Sequence, residues 1–272
     1  MLHVALALAP LLAPLDLPAE TAPEARAAWE QFLEATRPAE PVPITSLQFE
    51  VQVTTRTDNR SNQAEFSLAY LDPDRLRMRM KSGREQGVGS GIGQQAYWLR
   101  DGDELRRLAG REYETDRRQI DDLLNLCHDL CALANPEALR VTRIEKLRRG
   151  PRELGSGKHA ARSLTWLAFT SPDFRLVGSG SDTLRIELGL DPTTGNAHQA
   201  VVRDPAGASP PRHLIFEKHD SVDGFQIPMT IQVFDPEDAG DPESDFRSRA
   251  TVEIYLLTGS LNPALDPASF DG

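Results

Sequence analysis

Apolar and polar residues alternate strictly along several stretches of the chain. The first runs from Leu47 to Val53, where every second residue is apolar and the residues between are polar. The same rhythm returns at 64–70, 76–81, 184–190, 227–233 and 252–256, and further strands are predicted at 197–203 and around Leu214 and Phe216. A period of two places all apolar groups on one side of a β-strand. The pattern therefore predicts an antiparallel sheet with one buried face.

Two other stretches have the period of a helix. Between Ala22 and Thr36, apolar residues including Trp29 and Phe32 recur at three- and four-residue steps, and prolines follow. A second helix is predicted from near Thr115 to Ala134, and a short third helix over 137–147. Strands in runs, rather than strands alternating with helices, argue against a parallel doubly wound sheet. The predicted class is α+β: one curved antiparallel sheet of about eleven strands, an unclosed half-barrel whose concave face the helices cover.

The first residues suggest export. Val4–Leu15 is apolar and, at about a dozen residues, shorter than the about 20 that span a bilayer, but it suits the core of a secretory signal. No Lys or Arg precedes it, so a disordered leader or a helix packed on the domain is the alternative. We expect a leader at 1–21, one domain at 22–272, and a periplasmic protein that does not span the membrane after signal removal.

The net charge of the chain limits the classes of molecule that it is expected to bind. The 272 residues carry a formal net charge of -11, with 41 acidic against 30 basic side chains. Nucleic-acid binding needs a basic excess, so no nucleic-acid partner is expected. Most arginines in the first two thirds of the chain are interpreted as lying on solvated faces of strands and helices. The alternative is that some of them form a small basic patch that contacts lipid headgroups or a partner protein.

Two clusters could carry chemistry. Cys127 and Cys131 lie one helical turn apart with His128 between them, which fits buried structural thiols or, in an oxidising compartment, a disulfide between adjacent turns. His213, Glu217 and His219 share one strand face by parity, as alternate polar positions or as metal ligands. Each cluster is short of the further ligands that a metal site requires, so no metal is expected.

No catalytic motif is found. The run Gly89–Gly93 lacks the spacing of a nucleophile elbow, and strand-forming residues follow it where a dinucleotide fingerprint needs a helix. We therefore expect no catalytic residues and no cofactor. An unrecognised periplasmic hydrolase is the functional hypothesis that the sequence supports least.

Five short segments follow one another in a recognisable order. They are Leu71-Asp72-Pro73-Asp74-Arg75-Leu76-Arg77-Met78, Gly93–Leu99, Leu190-Asp191-Pro192-Thr193-Thr194-Gly195, Asp223–Pro228 and the closing segment Leu261–Phe270. Behind a signal segment and an amphipathic helix, they resemble the outer-membrane lipoprotein carrier family, the LolA-like fold. The resemblance implies an unclosed β-barrel with helices as a lid, whose interior holds acyl chains in transit across the periplasm. The family usually has a basic residue before the proline that opens the third strand, and here that residue is Asp72.

The residues themselves lead to a compatible hypothesis. Two helices can leave part of a concave apolar face uncovered, which would form a lipid-sized pocket. Its expected lining is Phe49, Phe66, Leu68, Met78, Met80, Trp98, Ile186, Met229, Ile231 and Leu256. The alternative is that these groups are ordinary core. The function indicated is a non-enzymatic periplasmic carrier for lipid or lipoprotein acyl chains. The other candidate is an envelope interaction or sensor module with a plugged groove and a protein partner.

Overall fold

One sheet dominates the molecule. The computed structural model describes residues 18, 21–37, 42–57, 60–72, 75–86, 97–101, 104–109, 114–151, 163–175, 183–207, 211–234 and 250–270. The strands are β1 (Ser46–Thr57), β2 (Arg60–Leu71), β3 (Arg75–Gln86), β4 (Tyr97–Asp101), β5 (Glu104–Ala109), β6 (Arg143–Leu147), β7 (Thr165–Ser171), β8 (Leu184–Leu190), β9 (Ala197–Arg203), β10 (Arg212–Val222), β11 (Phe225–Phe234) and β12 (Val252–Leu261). The helices are α1 (Pro23–Thr36) and α2 (Glu114–Ala134), with 3₁₀ turns at Pro136–Ala138 and Pro267–Phe270.

The sheet is antiparallel and open. The twelve described strands follow the order β5-β4-β3-β2-β1-β12-β11-β10-β9-β8-β7-β6, so β1 and β12 meet in the middle and β5 and β6 are the two edges. This confirms the predicted α+β half-barrel, with twelve strands for the expected eleven or so. Most of the predicted leader, residues 1–17, lies outside the described residues, so its export role stays a prediction.

Strand register arranges the predicted apolar residues in rows across neighbouring strands. Phe49 pairs with Leu68, Leu68 with Met78, and Met78 with Trp98. We call the face that carries this row the inner face. Both helices pack on it, because their buried residues belong to the same apolar cluster as Phe49 and Leu68. The two-residue alternation therefore determined which side chains turn inward.

Helix α1 is held against the inner face by aromatic packing. Trp29 and Phe32 are completely buried, and the Trp29 ring meets the Phe169 ring edge-on at a centroid distance of 5.2 Å. The turn after β8 closes on the same helix. A β-carbon on Gly195, whose φ is +77°, would lie 2.8 Å from the Ala35 β-carbon, so only glycine fits there.

The family-like segments build turns at one end of the sheet. Asp223 and Gly224 both have positive φ, 49° and 85°, as a tight hairpin of primed type requires, and the Asp223 carboxylate accepts a hydrogen bond from the Leu261 amide at 2.7 Å. Asn262, also at positive φ, accepts one from the Thr45 amide at 2.8 Å. These turn conformations and hydrogen bonds tie neighbouring strand ends together.

Two sequence predictions were wrong. The short helix over 137–147 is instead a 3₁₀ turn, Pro136–Ala138, followed by strand β6. The sheet is also not buried on one face alone. On the opposite, outer face His213 and Ile215 are fully buried and Phe234 is 1% exposed, next to Ala250. Ile215 and Phe234 are apolar at positions whose parity points outward, so the outer face has a small core of its own.

Candidate functional site

Eight of the ten residues expected to line a pocket lie on the inner face. Seven of them are buried: Phe49, Phe66, Leu68, Met78, Ile186, Ile231 and Leu256. Met229 is partly buried against the same cluster. Met80 and Trp98 occupy strand positions paired with Phe66 and Met78, and their side chains lie outside the described residues.

Register divides these residues into separate groups. One row joins Phe49 to Leu68 and Met78, and the next joins Leu256 through Val51 to Phe66. Ile186 lies in the other half of the sheet, paired with Phe169 and Val202. The sequence predicted the shared face, but it could not show that its members belong to two halves of the half-barrel.

A narrow apolar gap separates α2 from strands β8–β10. The lining residues on the helix side are Leu126, Leu130 and Leu133, those on the sheet side are Ile186, Ala200, Val202, Leu214 and Phe216, and Phe174 also lines the gap. Its free volume is about 10 Å³, which is about the space that one water needs. A hydrocarbon chain therefore does not fit while α2 stays in place. Helix α2 approaches the sheet chiefly at β11, beside this gap.

The gap contains residues that the sequence pattern did not single out. Leu126 and Leu133 lie seven residues apart, two helical turns, and form a second apolar stripe beside the one predicted through Leu130. The signal was present as an unusually wide apolar surface on α2. A helix that covers a curved sheet needs such a wide stripe, because it meets strands on both of its flanks.

A buried carboxylate lies at the border of the gap. Asp129 of α2 is 4% exposed and accepts a hydrogen bond from the backbone amide of Arg175 at 2.8 Å. Since Arg175 belongs to the segment that follows β7, this bond ties α2 to the sheet. Nearby, Asp173 accepts bonds from the Arg140 backbone amide at 2.6 Å and from its guanidinium Nε at 2.9 Å.

The two thiols face a buried tyrosine. Cys127 and Cys131 are free. Burial, and secondly the charge of Asp72, raises the pKa of Cys131 to about 12, and burial raises the pKa of Cys127 well above its ordinary value. The hydroxyl of Tyr70 donates to the Asp72 carboxylate at 3.0 Å. Asp72, which stands where the resembling family has a basic residue, thus anchors a core side chain. The raised pKa values reduce the thiolate fraction of both cysteines at neutral pH.

A separate polar groove lies at the turn between β8 and β9. It has a volume of about 390 Å³ and is lined by Asp191, Thr194, Asn196, Ala197, His198, Glu217, Lys218 and His219. Burial, and then the neighbouring His198, lowers the pKa of His219 to about 4, so His219 is neutral at pH 7. Glu217 and His219 do share a face, as predicted, whereas His213 is buried at the far end of β10. Among the described residues, no three His, Cys, Asp or Glu side chains are placed to hold a metal ion.

Comparison with known proteins finds likeness in structure alone. No protein-family model matches the chain, and no curated protein matches it. A LolA superfamily protein from Nitrosomonas europaea is 13% identical with a TM-score of 0.44, covering 90% of this chain and 96% of its own. An outer membrane lipoprotein-sorting protein domain from Vibrio parahaemolyticus is 12% identical with a TM-score of 0.44, covering 91% and 97%. A DUF1329 family protein from Desulfovibrio piger is 13% identical with a TM-score of 0.43, covering 90% and 96%.

These similar structures include the family named from the sequence. At such identities and TM-scores their functions do not transfer, so the function of this chain has to be argued from its own residues. In the described part of the chain, neither helix has the length and apolar character needed to cross a bilayer.

Proposed function

We propose that this protein is a non-enzymatic periplasmic carrier that binds acyl chains between α2 and strands β8–β10. The supporting observation is the apolar gap itself. Every sheet-side residue that lines it is apolar, and on the α2 side only Asp129, at its border, is charged. An acyl chain placed there would make the contacts that the α2 leucines make now.

The energetics set a lower limit on chain length. Binding requires α2 to move, which withdraws Leu126, Leu130 and Leu133 from the sheet at a cost of about 1.5–3 kcal/mol each. Each buried methylene of the ligand returns about 0.8 kcal/mol. The two effects balance at about 6–11 methylenes. Long chains therefore displace the helix, and short chains do not.

The test uses protein refolded free of lipid and fluorescent fatty acids of 8 and 16 carbons. We expect saturable binding of the longer chain and none of the shorter. Ala200→Val overfills the gap and should weaken binding at least tenfold in protein that thermal unfolding shows to be folded. Ala27→Val, the same change on the exposed side of α1, should leave binding unchanged. Equal binding by both variants would place the ligand elsewhere. Native mass spectrometry of protein purified from its own envelope would then identify any lipid that it carries.

A second function is favoured by the small size of the gap. If α2 never leaves the sheet, the groove is permanently plugged, and the protein acts as an envelope interaction or sensor module. That function predicts no fatty-acid binding by lipid-free protein and no co-purified lipid. Export, which both functions assume, is tested by fractionating cells that express the whole chain.

A further inference from the structure

Strand β6 forms one open edge of the sheet. It pairs with β7 from Arg143↔Thr170 to Leu147↔Trp166, and it is the last strand in the sheet order, so within the described residues no strand pairs with its other side. In an antiparallel sheet alternate residues direct their N–H and C=O groups away from the paired neighbour. Those groups of β6 form a short row that another chain can extend.

The same edge carries a local excess of positive charge. Arg143, Lys146, Arg148 and Arg149 are all exposed, and among the described residues none of them forms an ion pair. The acidic residue of this stretch, Glu145, is bound by Arg185 at 2.7 Å. Four unneutralised cations within seven residues stand out on a chain whose formal net charge is -11.

We propose that this edge, residues Arg143–Arg149, is a docking site for an extended acidic segment of a partner protein, which adds to β6 as a further strand. Backbone hydrogen bonds would supply affinity, and carboxylates on both faces of the segment would pair with the cations, since Arg143 and Lys146 lie on opposite faces of β6. The five residues of β6 span about 17 Å, and Arg148 and Arg149 follow directly after the strand. A segment of about seven residues is therefore long enough to meet all four charges.

Charge and backbone hydrogen bonding argue against two other partners for this edge, a second copy of the chain and an anionic bilayer. A second copy of this chain would bring an equally basic edge, and like charges opposite each other destabilise strand pairing. An anionic bilayer would satisfy the cations but not the outward backbone groups, because lipid headgroups do not form a ladder with a strand. An acidic strand satisfies both sets of groups.

The experiment measures binding by fluorescence anisotropy of an eight-residue peptide in which pairs of Glu alternate with pairs of Val or Thr, so that both faces of the added strand carry carboxylates. Two controls keep its length: one has Lys for Glu, and the other keeps Glu but is N-methylated at alternate backbone amides. The protein variant Lys146→Glu/Arg148→Glu reverses the edge, and Arg26→Glu/Lys218→Glu makes the same charge change at exposed positions elsewhere. Circular dichroism and thermal unfolding establish that both variants fold.

We expect the acidic peptide to bind, the edge variant to bind it at least tenfold more weakly, and the control variant to bind it within twofold of the parent. Both control peptides should bind the parent protein at least tenfold more weakly than the acidic peptide does. Amide exchange of β6 should slow when the acidic peptide is bound. Equal affinity of the N-methylated peptide would overturn strand addition. Absence of peptide binding in low salt would overturn the proposal, as would tight binding to phosphatidylglycerol vesicles without any to the peptide.

Discussion

The ring of Phe49 lies across Gly259 of the neighbouring strand. The two residues are paired in the β1–β12 register, and a β-carbon on Gly259 would overlap the Phe49 ring. Phe49 itself is 2% exposed. The aromatic ring fills the space that a side chain on Gly259 would need, at the point where the two halves of the sheet join.

Gly259→Ala is therefore expected to destabilise the fold by about 1–3 kcal/mol, because the displaced ring has no empty space to enter. The free energy of unfolding in urea measures the loss. Phe49→Leu in the same chain should recover part of it, so a double-mutant cycle gives a favourable coupling. Independent, additive effects of Gly259→Ala and Phe49→Leu would contradict the packing.

Asn262 clamps the start of β1. Its side-chain Oδ1 accepts from the Thr45 amide at 2.8 Å and its Nδ2 donates to the Pro43 carbonyl at 2.9 Å, while its φ is 51°. Asn262→Gly removes the hydrogen bonds but permits the backbone conformation, so we expect a loss of about 1–2 kcal/mol. Asn262→Ala should lose about 1 kcal/mol more, because alanine resists the left-handed region. Equal unfolding midpoints for the two variants would show that the backbone conformation contributes nothing.

Stability should fall in mild acid because of His219. Its pKa is lowered to about 4 in the folded protein by burial and by His198, with the Asp191 charge opposing. The unfolded value is about 6.5, so the unfolded chain takes up the proton first. The contribution of His219 is complete above pH 6.5 and is lost as the pH falls toward 4, by at most about 3 kcal/mol. Urea midpoints of the parent and of His219→Gln, compared between pH 7 and 4.5, should converge as the pH falls. If the two urea midpoints instead change in parallel with pH, His219 does not cause the loss of stability in acid.

The thiols of α2 should resist alkylation. A thiol with a pKa of about 12, as burial gives Cys131, has about a thousandfold less thiolate at pH 8 than an ordinary cysteine. We expect labelling by a maleimide to be slower by about that factor in the folded protein than in guanidinium, where two thiols should react quickly. Finding fewer than two thiols after unfolding without reductant would show a disulfide and contradict the free pair.

Much of the sheet was predictable from sequence because several of its strands, among them β1, β2, β3 and β8, have one apolar side. Period two places Phe49, Leu68 and Met78 on one face, and the strand register then joins them into a row. Strand β6 was mistaken for helix because only Ile144 of its five residues is buried, which leaves no alternation to detect. Leu139, Ile144 and Leu147 are spaced loosely enough to resemble a helical stripe.

The gap could not be predicted, since its existence depends on how α2 is positioned above the sheet. Periodicity identifies that Leu126 and Leu130 are apolar, but not which strands they face. The outer core around His213 and Phe234 was missed for a related reason. Parity assigns a residue to a face, whereas burial of that face depends on segments distant in sequence.

The bond from the Arg175 amide to Asp129 should control how readily α2 leaves the sheet. A charged hydrogen bond of this kind stabilises by about 1.5–3 kcal/mol, and removing the buried carboxylate recovers part of that in relieved desolvation. Asp129→Ala should therefore lower the free energy of unfolding by about 1–2 kcal/mol and speed amide exchange along α2. Asp173→Ala is the matched control, since its partner Arg140 has a side chain 74% exposed and exposed pairs contribute about 0–1 kcal/mol.

If α2 opens before an acyl chain enters, the association rate of the 16-carbon probe rises in Asp129→Ala and not in Asp173→Ala. The same association rate in both variants would mean that this bond does not limit access to the gap.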